Sequence, residues 1–176
     1  MTNKDKEPDI NQPDNIKPAV NPKIIELIKG LNISSTTLLS TDYLNHFNEI
    51  IMMIAMIGEM PDIIEECKEW QPKSYIQHFT DTSLSYRFIA IELYRAVPKK
   101  NLDAFEQAIE QTNNAIFQTV ERLELAISNG ATPEELTQKA MVAQKALQTL
   151  TEIISSIIHG AEKALSQSEI DKLITF

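Results

Sequence analysis

Apolar residues recur every three or four positions through the second half of the chain. One stripe runs from residue 102 to the Asn-Gly pair at 129 and 130, and its members are Leu102, Phe105, Ile109, Ile116, Leu123 and Ile127. A second stripe alternates spacings of four and three, and its members are Leu136, Ala140, Ala143, Leu147, Leu150, Ile154 and Ile157. These patterns predict two long helices that pack as an antiparallel hairpin, each arm about 40 Å long at ~1.5 Å per residue.

The residues between the two stripes favour a sharp turn. Asn129-Gly130 is typical of a helix end, and Thr132, Pro133 and Glu135 fit the N-cap, first and third positions of a new helix. His159 and Gly160 mark the expected end of the second arm.

The first half of the chain predicts shorter helices, separated by prolines and glycines. Their expected spans are 22–29, 42–60, 62–70, 74–79 and 83–96. The second of them is apolar around most of its circumference, which predicts a buried central helix in which Met52, Met53, Met56 and Met60 fill the core. No segment of useful length alternates with a period of two, so the fold class is all-α, a helical bundle.

Composition divides the chain into three parts. Residues 1–21 mix polar residues with three prolines and predict a flexible arm. Residues 22–160 form the helical domain, with short helices over 22–98 and the hairpin over 101–160, and residues 161–176 form a separate tail. The apolar surface of the hairpin is covered either by the N-terminal helices of the same chain or by a second hairpin in a homodimer.

Charge and cysteine content limit the partners. The 16 Lys and Arg against 25 Asp and Glu give a formal net charge of −9, which disfavours nucleic acid and anionic membrane surfaces. The single cysteine, Cys67, excludes an internal disulfide. The longest apolar run, residues 50–57, is shorter than the ~20 residues of a membrane span. We expect a cytoplasmic protein without a cofactor.

Candidate chemistry is sparse. On the first hairpin arm Asp103 and Gln107 lie four residues apart, and Glu110 and Asn113 lie three apart; an amide beside a carboxylate can orient a water molecule for attack on an acyl phosphate. Such pairs are also common on solvated helix faces. His46 and Glu49 share a helix face, but no Glu-x-x-His motif accompanies them, so we expect no metal site.

The tail carries the sharpest local signal. Residues 165–174 read LSQSEIDKLI, in which Ser166 and Glu169 form a capping box and Leu165 and Ile170 occupy the positions of a hydrophobic staple. Ile170, Leu173 and Ile174 share one face. Because isolated helices shorter than ~12–15 residues are marginal in water, this helix has to dock onto its own domain or onto a partner.

This tail resembles the short receiver-binding peptide of the flagellar switch protein FliM family, whose pattern is close to L-S-Q-x-E-I-D-x-L-L. The matching residues are Leu165, Ser166, Gln167, Glu169, Ile170, Asp171 and Leu173, with Ile174 in place of a leucine. In that family the peptide binds the receiver domain of CheY. A long hairpin followed by a C-terminal docking helix is also similar to the layout of the CheZ phosphatases, in which an Asp and a Gln four residues apart are catalytic.

The resemblance implies a helical interaction protein whose tail docks a receiver domain through those eight residues. The alternatives are a phosphatase acting on a phosphorylated receiver through Asp103 and Gln107, and a scaffold or secreted factor with its tail packed on its own domain.

Overall fold

A computed structural model describes residues 21–175, which leaves all but the last residue of the expected N-terminal arm outside the described residues. The described residues form eight α-helices and no β-strand. The helices are α1 Pro22–Leu27, α2 Asn45–Met56, α3 Ile64–Glu69, α4 Tyr75–Asp81, α5 Arg87–Tyr94, α6 Lys99–Ser128, α7 Pro133–Ile158 and α8 Gln167–Leu173. The all-α prediction is therefore confirmed, although α5 is shorter than the predicted span 83–96.

The long hairpin consists of α6 and α7, which pack antiparallel. Every residue of the predicted heptad stripe on α7 is buried. The capping box at the start of α7 is also present: the backbone N–H of Glu135 donates to the Thr132 hydroxyl at 3.2 Å, and the backbone N–H of Thr132 donates to the Glu135 carboxylate at 2.8 Å. Since these contacts satisfy two backbone donors that a helix start leaves open, the turn fixes where the second arm begins.

The buried face of α6 is broader than its apolar stripe predicts. Phe105, Ile116 and Leu123 are buried as expected, while Ile109 and Ile127 are only half-buried. Apart from Val120, small residues make up the rest of the buried face, and they are Ala104, Ala108, Thr112, Ala115 and Thr119. Small side chains allow close approach of a neighbouring backbone, so α6 can be covered on more than one side.

Helix α2 packs against α7 and covers the hairpin within the same chain. Directly after α2, Gly58 lies so close to α7 that an added Cβ would lie 2.7 Å from the Cα of Thr137. The prediction that four methionines of this segment fill the core is wrong for three of them, since Met52, Met56 and Met60 are 66%, 38% and 52% exposed, while Met53 is half-buried against the core. Met52 and Met56 lie on the solvent side of α2 because the opposite side, which includes Phe47, Ile50 and Ile54, contacts the bundle.

An aromatic cluster joins the short helices to α6. Tyr43, Tyr75 and Phe105 pack together with ring centroids 5.5–5.9 Å apart. The two buried hydroxyls are satisfied by the backbone, since Tyr43 donates to the carbonyl of Lys73 at 2.7 Å and Tyr75 accepts from the N–H of Ser40 at 2.9 Å. The cluster therefore fixes the loop before α4 beside α6.

The far end of α7 is closed by the loop between α1 and α2. Thr37 is fully buried and its hydroxyl donates to the carbonyl of Ile158, one of the acceptors that a helix end leaves open. The chain then reverses at Gly160, where φ is +111°. This reversal sends residues 161–175 back along the hairpin. No helix among the described residues is long and apolar enough to cross a membrane.

Candidate functional site

The tail lies against α6 of its own chain. Ile170 and Ile174 are each 1% exposed, and Leu165 and Leu173 are half-buried against the same core. The apolar face that the sequence predicts for docking is therefore covered by α6 in this structure. The remaining motif residues are exposed, and they are Ser166, Gln167, Glu169 and Asp171.

Polar contacts hold the tail at both ends of α8. Before the helix, the Gln111 side-chain amide donates to the carbonyl of Leu165 at 2.9 Å. After it, the Arg122 guanidinium donates to the carbonyl of Ile174. Both donors lie on α6, eleven residues apart, so the tail runs in the same direction as α6 and spans about 16 Å of it at ~1.5 Å per residue.

The start of α8 has the predicted capping box. The Glu169 carboxylate accepts from the backbone N–H of Ser166 at 2.8 Å and from its hydroxyl at 2.6 Å. These hydrogen bonds from Ser166 lower the pKa of Glu169. Further along, the Gln167 amide donates to the Asp171 carboxylate at 2.8 Å. The exposed side of α8 is thus internally paired and adds no contact to α6.

The four candidate catalytic residues line one cleft. Asp103, Gln107, Glu110 and Asn113 lie along one side of α6, and the cleft they border has a volume of about 700 Å³. Its opposite wall comes from the short helices through Tyr43, Tyr75 and Tyr94, and a fourth aromatic residue, Phe117, lines the cleft from α6. Volumes of this size are typical of small-molecule sites.

Acidic and aromatic side chains dominate the cleft. Asp103 pairs with Lys99 at 2.6 Å, and both are exposed. Tyr94 donates to the Glu106 carboxylate at 2.5 Å. Burial, together with the Glu106 carboxylate, raises the pKa of Tyr94, so its phenol stays neutral. The Oδ1 atom of Asn113 is buried and has no hydrogen-bond partner in the described structure. The cleft therefore offers acceptors for N–H donors.

Sequence patterns predicted one wall of this cleft and missed the other. The α6 residues follow from helical spacing, whereas Tyr43, Tyr75 and Tyr94 come from three separate segments. Each tyrosine fits the apolar side of a short helix and gives no signal of its own in the sequence. Only the packing of α4 and α5 beside α6 brings them together.

His46 has a structural role. Its Nε2 accepts from the backbone N–H of Lys73 at 2.9 Å, and its ring stacks on Trp70 with centroids 4.8 Å apart. Burial, assisted by nearby His78 and Lys73, lowers the pKa of His46 to about 4. Among the described residues, no three His, Cys, Asp or Glu side chains lie close enough together to hold a metal ion.

We expect the stability of the fold to fall between about pH 6.5 and pH 4 because of His46. In this interval the unfolded chain binds a proton at His46 that the folded chain excludes, so acidification favours unfolding. Denaturant titrations at pH 7 and pH 5 would measure the loss. His46→Gln keeps a hydrogen-bond acceptor without a titrating ring, and it should make the pH profile flatter. His78 also lies in this region with a pKa lowered by burial, and it accounts for part of the slope. Equal slopes in wild type and variant would contradict the assignment to His46.

Cys67 is buried on α3 and is a poor nucleophile. Burial, with the neighbouring Glu66 carboxylate, raises the pKa of the Cys67 thiol to about 11. The thiolate fraction near neutral pH is therefore very small. Cys67 contributes to packing.

Two surfaces thus stand out, the docked tail and the cleft on α6. Comparisons with protein-family models, with curated proteins and with solved structures found no match to this chain.

Proposed function

We propose that this is a non-enzymatic helical interaction protein whose C-terminal helix exchanges between α6 and a groove on a partner protein. The observation that carries the proposal is the small size of the tail's own docking contact. Only Ile170 and Ile174 are fully buried in α8 and its C-cap, and the polar contacts to α6 lie at the two ends of α8 and, earlier in the tail, between Glu162 and Lys100. A contact of this kind can be replaced by a similar one on another protein.

Energetics support the exchange. Burying an isoleucine side chain contributes about 1.5–3 kcal/mol, so two of them contribute about 3–6 kcal/mol. Part of this gain is offset because a seven-residue helix has to form as it docks. The closed position is therefore weakly favoured, and a partner groove that also covers Leu165 and Leu173 competes with it.

The proposed partner is a receiver domain of a two-component system. This choice rests on the resemblance of LSQSEIDKLI to the receiver-binding peptide of the FliM family. In the docked tail the acidic residues Glu169 and Asp171 are exposed and lie beside the apolar face. A partner groove that binds the apolar face would meet these two charges at its rim, where they favour a basic surface.

The test is binding of a peptide covering residues 163–176 to receiver domains from the same genome, with and without phosphorylation. We expect one receiver to bind it, with higher affinity when phosphorylated. The full-length chain should bind about 10- to 100-fold more weakly than the peptide, because its own α6 holds the tail at an effective concentration of millimolar order.

Two peptide variants make the result specific. Ile170→Asp places a charge on the apolar face and should abolish binding, whereas Ser168→Ala alters an exposed position and should leave binding intact. If neither the peptide nor the full-length chain binds any receiver, the proposed partner is wrong.

A second candidate function is dephosphorylation of a receiver, and one observation favours it: Asp103 and Gln107 border the same cleft. It requires that the full-length chain speed the loss of the phosphoryl group from the receiver and that Gln107→Ala abolish this effect. An unchanged rate of phosphoryl loss would exclude it.

A further inference from the structure

The cleft on α6 has an elongated shape. Its lining on that helix extends from Asp103 to Phe117, fourteen residues apart, which corresponds to about 21 Å at ~1.5 Å per residue. The other side is formed by Pro72 in the loop before α4, by Tyr75 at the start of α4 and by Tyr94 at the end of α5. A ligand that fills it has to be long and narrow.

The charges in the cleft have one sign. Asp103, Glu106 and Glu110 contribute three carboxylates, and no Lys or Arg is among the residues that line it. Lys99 reaches Asp103 from the helix end, but that pair is exposed on both sides and such pairs contribute little, so an incoming cation can replace it. The net charge of −9 adds a long-range attraction for cations.

The carboxylates are spread along the cleft. Successive members are three and four residues apart, or about 4.5 and 6 Å along the helix axis. A metal ion requires ligands that converge on one point, and these do not converge. A row of charges one helical turn apart fits a chain of ammonium groups separated by three or four methylene groups.

The rest of the lining fits the apolar and donor parts of such a ligand. Phe117 is 45% exposed, and Tyr94 presents a neutral ring. Aromatic rings pack well against methylene chains and attract ammonium groups through their faces. Asn113 also lines the cleft, and the buried Oδ1 atom of its amide has no hydrogen-bond partner in the described structure.

We propose that this cleft binds a linear polyamine, with its ammonium groups paired to Asp103, Glu106 and Glu110 and its methylene chain against Tyr94 and Phe117. The site is independent of the partner-docking role of the tail.

Calorimetric titration of the full-length chain with spermidine at ~150 mM salt tests the proposal, since screening at this ionic strength suppresses diffuse attraction. We expect saturable binding at one site. Glu106→Gln and Glu110→Gln should each weaken binding roughly tenfold, because each removes one charge-assisted hydrogen bond. Glu121→Gln removes the same charge from an exposed position of α6 outside the cleft and should change affinity less than about twofold.

Other ligands distinguish the polyamine from other cations. Putrescine, which has two ammonium groups, should bind about tenfold more weakly than spermidine. Mg²⁺ should not displace spermidine when the two are present at the same concentration of positive charge. Three outcomes would overturn the proposal: no saturable binding, an equal loss in Glu106→Gln and Glu121→Gln, or tighter binding of a lysine-rich peptide than of spermidine. The last outcome would identify the cleft as a protein-docking surface.

Discussion

Replacing Gly58 by alanine is expected to lower the free energy of unfolding by about 3 kcal/mol, at the upper end of the usual cost of overpacking. The added Cβ would lie 2.3 Å from the hydroxyl oxygen of Thr137 and 2.7 Å from its Cα. A side chain can rotate away from such a contact, but a backbone atom cannot. Helices α2 and α7 would have to move apart, and the buried contacts of Phe47, Ile50 and Ile54 would loosen with them.

Thermal and denaturant unfolding measure this effect. For a chain of this size a loss of about 3 kcal/mol lowers Tm by roughly 6–12 °C. Gly30→Ala is the matched control, because its φ is +79° and nothing lies within 4 Å of the added Cβ. It should cost about 1–2 kcal/mol, from backbone strain alone.

A double variant identifies the atom responsible. Thr137→Ala removes the hydroxyl but leaves the Cα in place, so Gly58→Ala combined with Thr137→Ala should remain strongly destabilised. If Gly58→Ala costs no more than Gly30→Ala, the close approach of α2 to α7 is wrong.

Sequence patterns predicted the parts of this fold that depend on local chemistry. The heptad stripe and the Thr132–Glu135 capping box each involve residues within a few turns of one helix. The capping box of Ser166 and Glu169 is predictable for the same reason. Helical period and capping residues are therefore sufficient for the hairpin and for the existence of α8.

Long-range packing was not predictable from these patterns. An apolar helix such as α2 has no preferred side until a neighbour is chosen, which is why Met52 and Met60 are exposed although they were expected in the core. The small residues on α6, such as Ala104 and Ala108, gave no apolar signal, yet they are buried. Similarly, the aromatic wall of the cleft depends on α4 and α5 lying beside α6.

The docking surface of the tail also depends on long-range packing. Ile170 and Ile174 fit any apolar surface, so their pattern left both their own domain and a partner open, and only the resemblance to the FliM family favoured a partner. The structure places them on α6, with Gln111 and Arg122 at the two ends of the contact. These two side chains allow the tail to be released without altering its own sequence.

We expect the double variant Gln111→Ala, Arg122→Ala to open the tail. The first change removes a neutral hydrogen bond and the second removes a charged donor, which together contribute about 2–3 kcal/mol. Hydrogen exchange of the α8 amides should therefore accelerate roughly 10- to 100-fold, the limit set by the strength of the closed state, while the amides of α6 and α7 keep their protection. Because the tail sequence is intact, affinity of the full-length chain for the proposed partner should rise toward that of the free peptide.

A control variant separates this effect from a general loss of charge and side-chain volume. Gln118→Ala with Arg95→Ala makes the same changes at exposed positions on α6 and directly after α5, where Arg95 pairs with the exposed carboxylate of Glu92 at 3.7 Å. Exchange in α8 should stay at the wild-type rate in this control. If the α8 amides of the release variant also exchange at the wild-type rate, the buried Ile170 and Ile174, together with the Lys100–Glu162 pair, hold the tail closed. A partner would then have to displace both isoleucines from α6 directly. Such a result would contradict the proposed function, which depends on a tail that is only weakly held on α6.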